Sequence, residues 1–233
     1  MLTVVLVRTR NPLNIGACAR ALSNFGISDL RLVQPHEPSF REAQSAVGAA
    51  DVLASARVYS SLCEALSDCT LVVGTTAASH RPSSHPEPLD GAAPGLREQI
   101  SRQHVALLFG SEKTGLSNED LSYCHQLVRI PTRPNRGSMN LGQAVAICLY
   151  ELTRSSAGSP VTASNPCATN EELQRLHAVL LDTLKIAGYI HLNTENHAAM
   201  SVRELLNRLS ITSADAATLT GMLRKIRLAL PSQ

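Results

Sequence analysis

The chain contains no tryptophan, and its 233 residues include only three phenylalanines and four tyrosines. An aromatic platform for stacking nucleic-acid bases is therefore not expected. No apolar run approaches the ~20 residues that a membrane helix needs. The first apolar run, Val4–Val7, has no basic segment before it and is followed at once by Arg8 and Arg10, so no signal peptide is predicted. We expect a cytoplasmic protein.

Metal-ligand spacing is also missing. No two of the six cysteines form a CxxC pair, and the eight histidines are scattered. Neither pattern matches a zinc site. The cysteines are expected to be reduced and buried, where a thiol behaves as a small apolar side chain. We predict no metal site.

Neither positive nor negative charge predominates, since the net charge is only +2. Lysine is scarce: Lys113, Lys185 and Lys225 stand beside eighteen arginines. Arginine suits bidentate phosphate contacts, but a GC-rich genome equally yields chains rich in arginine and alanine. With 44% hydrophobic and 17% charged residues, the chain is predicted to be globular.

Short apolar runs alternate with helical patterns along the first two thirds of the chain. Continuous apolar runs are typical of strands buried on both faces, and their alternation with helices predicts a parallel α/β sheet. The predicted strands are Val4–Val7, Leu30–Val33, Leu71–Val73, Val105–Phe109 and Gln126–Ile130. The predicted helices are Ile15–Phe25, Glu42–Ala54, Ser61–Leu66, Leu96–Arg102 and Leu141–Leu152. Ligands of such sheets bind at the carboxyl ends of the strands.

The last third of the chain changes character. A segment rich in Ser, Ala, Pro and Gly is typical of a linker, and three amphipathic helical patterns follow it. The first of these begins with the capping-box pair Thr169 and Glu172. We predict a domain of residues 1–157, a linker of residues 158–169 and a helical extension of residues 170–233. Three short helices form a weak core, so the extension is expected to pack on the first domain or on a second copy.

Three loops that follow predicted strands carry side chains suited to ligand binding. In the first loop, Asn14 is placed to cap a helix beginning near Ile15, with Arg20 one to two turns further on. The second loop, Phe109–Ser117, has two glycines five residues apart. It is not a P-loop, because Leu116 stands where that motif needs lysine.

The third loop, Ile130–Leu141, is held extended by its prolines and leads into a helix. Its small and amide side chains favour a ligand held by backbone groups. Each loop also has a purely structural interpretation: a capped helix with a surface arginine, a turn before a helix capped by Ser117, and a helix capped by Ser138 or Asn140.

Taken together and in this order, the loops resemble one family. The segments Asn14–Arg20, Phe109–Leu116 and Ile130–Leu141 are similar to the three motifs of the SPOUT RNA 2′-O-ribose methyltransferases, NxGxxxR, FGSExxGL and IP…SMNL. The resemblance spans residues 1–152. Together with the helical extension, Gly74–Ala77 makes the chain most similar to the TrmJ-type tRNA (cytidine/uridine-32 2′-O-)methyltransferases.

The resemblance implies a parallel α/β domain whose C-terminal part is tied in a deep trefoil knot, an exception to the rule against knots. It also implies a homodimer, tRNA as substrate, S-adenosylmethionine as cofactor, and neither a membrane nor a DNA partner. The cofactor residues that it implies are Thr75, Thr76, Ala77, Gly110, Ile130, Gly137, Ser138 and Met139. Gly137 departs from the serine of many relatives, which makes this loop more mobile.

The residues implied for the chemistry are Asn14, Arg20, Glu112, Ser138 and Asn140. A ribose 2′-hydroxyl loses its proton as it attacks a sulfonium methyl, so positioning supplies much of the rate. Because arginine is essentially always protonated, Arg20 is expected to stabilise the developing alkoxide and hold the neighbouring phosphate. That phosphate, or Arg20 transiently, would take the proton. Glu112 would hold the loop of Asn14 and Arg20, while Ser138 and Asn140 would orient the cofactor and the ribose.

Other functions are weighed against this one. The chain is alternatively a 2′-O-methyltransferase for another tRNA or rRNA site, or a non-catalytic SPOUT-like protein that binds RNA. The intact set of Asn14, Arg20, Glu112 and Asn140 argues against the latter. A Rossmann dinucleotide enzyme is disfavoured because no GxGxxG follows the first strand.

Overall fold

The computed structural model describes residues 1–36, 48–77, 85–133, 138–154, 167–190 and 194–230. Within these residues seven strands form one parallel sheet in the order β3-β2-β1-β6-β4-β7-β5. The strands are β1 (Leu2–Val7), β2 (Leu30–Val33), β3 (Arg57–Tyr59), β4 (Leu71–Thr75), β5 (Glu87–Pro88), β6 (Val105–Phe109) and β7 (Gln126–Arg129).

Helices connect the strands and form the extension. The helices of the first domain are α1 (Pro12–Asn24), α2 (Ala50–Ser55), α3 (Leu62–Ala65), α4 (Leu89–Arg102), α5 (Asn118–Ser122) and α6 (Leu141–Thr153). The helices of the extension are α7 (Asn170–Ile186), α8 (Glu195–Leu209) and α9 (Ser213–Ala229). None of the described helices is long and apolar enough to span a membrane.

The sheet is buried between two layers. Every residue of β1 and β6 is buried, which confirms the prediction drawn from their continuous apolar runs. Along β1, Val4 and Leu6 pack into the core on one face, and Val5 and Val7 pack into the core on the other. All five predicted strands are confirmed. The sequence did not predict β3 and β5, which are short and lie at the two edges of the sheet. Neither has a continuous apolar run, and Val58 in β3 is 53% exposed.

Several predicted helix ends were wrong. Helix α1 begins at Pro12 rather than near Ile15, and its N-cap is Asn11, whose side chain accepts from the Leu13 amide at 2.9 Å. Asn14 therefore lies in the first turn and is free for another role. Proline suits this first helical position because its missing N–H has no partner there.

Helix α4 is twice as long as predicted. It begins at Leu89 and passes through Pro94, and its first turns bury Ala92 and Ala93 against the core. The sequence did not predict these turns because a proline usually interrupts a helix. In the structure, burial of the two alanines compensates for the backbone donor that Pro94 lacks. The predicted helix Glu42–Ala54 overlaps α2, which is Ala50–Ser55, and residues 42–47 lie outside the described residues.

The extension lies against the first domain. The backbone N–H of Asn170 donates to the backbone carbonyl of Cys69 at 2.7 Å. On α8, Arg203 donates to the Ser122 hydroxyl at 2.8 Å and stacks over the ring of Tyr123 at 4.1 Å. The capping box of Thr169 and Glu172 is present as predicted. Most of the predicted linker lies outside the described residues.

Candidate active site

A cavity of about 470 Å³ opens at the carboxyl edge of the sheet. The first two loops follow β1 and β6, which are neighbours in the sheet, with Leu6 paired to Phe109. The other lining residues lie at and after the ends of β4 and β7, which also pair with each other. This is the edge where a parallel α/β sheet binds its ligands.

Most of the residues implied by the sequence meet at this cavity. Its lining contains all the described residues implied for the cofactor, namely Thr75, Thr76, Ala77, Gly110, Ile130, Ser138 and Met139. It also contains Asn14, Glu112 and Asn140. Gly137 lies outside the described residues.

Arg20 is the exception. It is exposed on α1, does not line the cavity of its own chain, and makes no hydrogen bond or ion pair with another described residue. Six residues of helix separate it from Asn14, which is about 9 Å along the axis. One chain alone therefore does not bring Arg20 to the other site residues.

Asn14 is held at the centre of a chain of hydrogen bonds. Its Nδ2 donates to Glu112 Oε1 at 2.8 Å, and its Oδ1 accepts from Asn140 Nδ2 at 2.9 Å. Asn140 is also the N-cap of α6, with its Oδ1 accepting from the Gln143 amide at 3.3 Å. Both polar atoms of the Asn14 amide are thus used, and the bonds join all three loops.

Glu112 fastens the second loop to the first. Its carboxylate also accepts from the backbone amides of Arg10 and Asn11, at 3.3 and 3.2 Å. Partial burial opposes the charge, but the hydrogen bonds from Asn14 and these amides outweigh it, and the pKa of Glu112 is lowered. The side chain is therefore an anionic anchor at neutral pH and not a general base poised for protonation.

The second loop folds tightly on itself. Ser111 bridges to Gly115, which has a φ of 67° that favours glycine. A Cβ on Gly110 would lie 2.0 Å from the Gly115 carbonyl carbon and 2.2 Å from the Leu116 nitrogen, so no larger residue fits without moving the backbone. The loop ends at Ser117, which caps α5 as the structural interpretation of the sequence proposed.

Sequence reasoning missed the apolar part of the lining. Phe109, Val128, Leu141, Ala144 and Cys148 complete the cavity walls. The sequence predicts them only as strand residues, Phe109 and Val128, and as residues of the helix Leu141–Leu152. Their signal was present in the sequence, since each lies near a strand's carboxyl end or within the first eight residues of α6, beside the motifs.

One group of possible metal ligands exists among the described residues, at the opposite edge of the sheet. The ligand atoms of Asp68, Cys69 and His104 lie within 4.8 Å of one another. The buried guanidinium of Arg31 donates to Asp68 and lies 3.9 Å from the Cys69 sulfur. This positive charge already neutralises the group and opposes a bound cation.

The fold and the three-loop site define the class of protein. Residues 1–150 match the model of the SpoU rRNA Methylase family, and the chain belongs to this family. The tRNA (cytidine/uridine-2′-O-)-methyltransferase TrmJ of Pectobacterium atrosepticum is 36% identical to this chain. The alignment covers 96% of this chain and 95% of that protein. The tRNA (cytidine/uridine/adenosine-2′-O-)-methyltransferase TrmJ of Pseudomonas aeruginosa is 37% identical, over 94% of this chain and 91% of its own. The crystal structure of TrmJ from Z. mobilis ZM4 superposes with a TM-score of 0.85 at 32% identity, covering 97% of this chain and 99% of the other.

Proposed function

We propose that the chain transfers a methyl group from S-adenosylmethionine to a ribose 2′-hydroxyl of tRNA, at the pyrimidine of position 32 in the anticodon loop. The observation that carries the reaction class is the bonded set of Asn14, Glu112 and Asn140 at the cavity. Relatives named as tRNA 2′-O-methyltransferases align over nearly the whole chain, which supports tRNA as the substrate. Because the proposed substrate is tRNA, we place the reaction in the cytoplasm.

The cavity suits the proposed cofactor. Its volume of about 470 Å³ falls in the usual range for small-molecule sites. Among the described residues, the lining carries one carboxylate, Glu112, and one cation, Lys113, with apolar and small polar groups around them. A polyphosphate would need more positive charge than this. Apolar walls such as Val128 and Ile130 suit an adenine ring, and the near-neutral lining accepts a ligand with both an amine and a carboxylate.

The chain's own residues would hold and orient the reactants. When bound, S-adenosylmethionine supplies an electrophilic methyl group. Residues at the ends of β4, β6 and β7, namely Thr76, Gly110 and Ile130, would grip the cofactor through the backbone. Ser138 and Asn140 would orient the ribose, with the Asn140 side chain kept in place by Asn14. Fixed side chains of this kind supply rate by positioning.

Arg20 would stabilise the developing alkoxide and hold the neighbouring phosphate. It is exposed and unpaired among the described residues, so its guanidinium is available to RNA. It shares a face of α1 with Leu13, because seven residues make two helical turns. The substrate or a second chain would have to bring this face to a cavity, since Arg20 does not line its own.

We propose a homodimer built on α1 and α6. Both helices bury their main apolar stripes in the core, yet Leu13 remains 74% exposed on α1 and Tyr150 53% exposed on α6 beside Ile147. The two helices pack closely, and a Cβ on Gly142 would lie 2.6 Å from Ala17. A second copy covering this patch would meet Arg20 as well, because Arg20 and Leu13 lie on one face. Sedimentation should give twice the 24.9 kDa of one chain.

The trefoil knot and the domain boundaries belong to the same proposal. Strand β7 lies between β4 and β5, and α6 returns to pack on α1 and α4, which is compatible with a knotted segment between β6 and α6. The catalytic domain would comprise residues 1–157 and the extension residues 170–233, separated by a linker. We propose that the extension grips tRNA phosphates beyond the anticodon loop.

The direct test combines cofactor binding with methyl transfer. Calorimetry in EDTA should show binding of S-adenosylmethionine, and labelled methyl should appear in tRNA. Arg20→Ala should nearly abolish transfer and leave cofactor affinity within about threefold, because its contact is made chiefly in the transition state. Arg20→Lys should not rescue transfer, since lysine lacks the planar fork. Binding without transfer to any tRNA or rRNA would indicate a non-catalytic RNA-binding protein.

A further inference from the structure

Two loops of the site are joined a second time, behind the cavity. Arg8, which directly follows β1, donates from Nη1 to Asp120 Oδ1 at 3.2 Å and from Nη2 to Oδ2. Asp120 lies in α5, immediately after the second loop, and is only 4% exposed. A bidentate bond of this kind is the strongest that arginine makes with a carboxylate.

Asp120 fixes the end of the second loop at the same time. Its Oδ2 accepts from the backbone nitrogen and from the hydroxyl of Ser117, both at 2.7 Å. One buried carboxylate thus joins Arg8, at the beginning of the first loop, to Ser117, at the end of the second loop. Glu112 ties the same two loops together from the cavity side.

The backbone of Arg8 needs such support. Its φ is 53°, in the left-handed region, which costs a residue with a side chain about 1–2 kcal/mol. Two and three residues later, the amides of Arg10 and Asn11 point at Glu112. Glu112 is exposed, so water competes for those bonds, whereas the Asp120 carboxylate is shielded.

We propose that the Arg8–Asp120 pair is a positioning element of the active site. Neither residue lines the cavity, so the pair acts through the placement of Asn14 against Glu112. Its kinetic consequence rests on the proposed methyltransferase function, and its structural consequence does not. The pair is not part of the motifs that carry the family resemblance.

The test is a double-mutant cycle of Arg8→Gln and Asp120→Asn, in which asparagine keeps an acceptor for Ser117. Each single variant should lower kcat about tenfold. The kcat of the double variant should be no lower than that of the less active single variant. The Kd for S-adenosylmethionine and the KM for tRNA should stay within about threefold. Arg8→Lys, which keeps the charge and is the milder change, should recover part of kcat. Arg102→Gln, which breaks a surface pair with Glu98, is the control and should change none of these values.

Hydrogen exchange supplies a readout that does not depend on transfer. Amides of residues 8–14 and 110–117 should exchange faster in the Arg8 and Asp120 variants and not in the control. Unchanged exchange in both loops would overturn the proposal, as would unchanged kcat or losses that multiply in the double variant. A rise in KM for tRNA alone would show that Arg8 contacts RNA directly. If the native chain methylates no RNA, the proposed function fails, and the exchange measurement still decides the role of the pair.

Discussion

The side-chain nitrogen of Asn140 donates to the side-chain oxygen of Asn14 at 2.9 Å, across 126 positions of sequence. This bond joins the N-terminal cap of α6 to the first turn of α1. Because Asn14 also donates to Glu112, the position of Asn140 at the cavity depends on both other loops. The three motifs therefore act as one bonded unit.

Replacement of Asn14 tests this unit. Asn14→Asp keeps an acceptor for Asn140 but removes the donor to Glu112 and places a second carboxylate beside it, so repulsion should separate the first loop from the second. We expect kcat to fall by about 10²-fold or more, as for other preorganised groups. Asn24→Asp, at the exposed end of the same helix, makes the same chemical change away from the site. Equal activity of the two variants in a labelled-methyl assay would refute the role of Asn14.

Replacement of Gly110 tests the cofactor loop. An alanine here would collide with the backbone of Gly115 and Leu116, so Gly110→Ala should displace the loop and weaken S-adenosylmethionine binding at least tenfold. Gly95→Ala is the matched control, because its Cβ would meet nothing within 4 Å in α4. That change should stabilise the helix by about 0.5–1 kcal/mol and leave cofactor binding unchanged in calorimetry.

Much of the site was accessible from sequence because its polar residues lie in short motifs. Asn14, Glu112 and Asn140 each stand two residues from a glycine, in a loop that follows an apolar run. The α1 cap was assigned wrongly because two asparagines stand three positions apart, and Asn11 bonds the Leu13 amide, leaving Asn14 to face the cavity.

Other features depend on contacts that no local pattern contains. The Arg8–Asp120 pair joins residues 112 positions apart and requires β1 and β6 to be neighbours. The buried Arg31 lies in a strand that otherwise has only apolar residues, and of its two carboxylate partners only Asp29 is near it in sequence, whereas Asp68 is 37 positions away. Arg20, by contrast, is conspicuous in sequence, yet its position away from the cavity follows from helical geometry.

The buried cluster around Arg31 makes stability depend on acid. Burial opposes the charge of Asp29 and Asp68, but hydrogen bonds from Arg31 outweigh this and lower the pKa of both. Such carboxylates contribute stability above their ordinary pKa, near 4, which is lost as the pH falls through the lowered folded values. The free energy of unfolding should therefore fall as the pH is lowered from about 5 to 2.

Arg31→Met should show where this dependence arises. At pH 7 the variant leaves two carboxylates without their buried partner, so we expect a loss of about 3–5 kcal/mol. Its stability should fall less with acid, because the pKa values of Asp29 and Asp68 are then lowered less, although Thr3 and Arg57 still donate to Asp29. Arg175→Met breaks an exposed pair with Glu171 and should cost less than about 1 kcal/mol. Parallel pH slopes for Arg31→Met and the native chain in urea unfolding would contradict this account.

The extension should add to the salt dependence of tRNA binding. Arg224 and Lys225 are exposed and close together on α9, and a solvated helix face is the alternative to phosphate binding. Each phosphate contact contributes about 0.7–0.9 to the slope of log affinity against log salt concentration, so Arg224→Gln with Lys225→Gln should lower the slope by about 1.4–1.8. Arg102→Gln with Arg154→Gln removes the same number of positive charges outside the extension, from pairs with Glu98 and Glu151, and should leave the slope unchanged. Equal slopes for both double variants would show that α9 serves packing instead.

The central claim is tested most directly by mass spectrometry of nucleosides from tRNA incubated with the chain and S-adenosylmethionine. The account predicts one new 2′-O-methylated pyrimidine, mapped by nuclease fragments to position 32, and its loss with Arg20→Ala. A methylated ribose elsewhere in tRNA would retain the chemistry and correct the position. Methylation on a base, or no methylation of tRNA while S-adenosylmethionine binds, would contradict the assignment of this site to ribose methylation of tRNA.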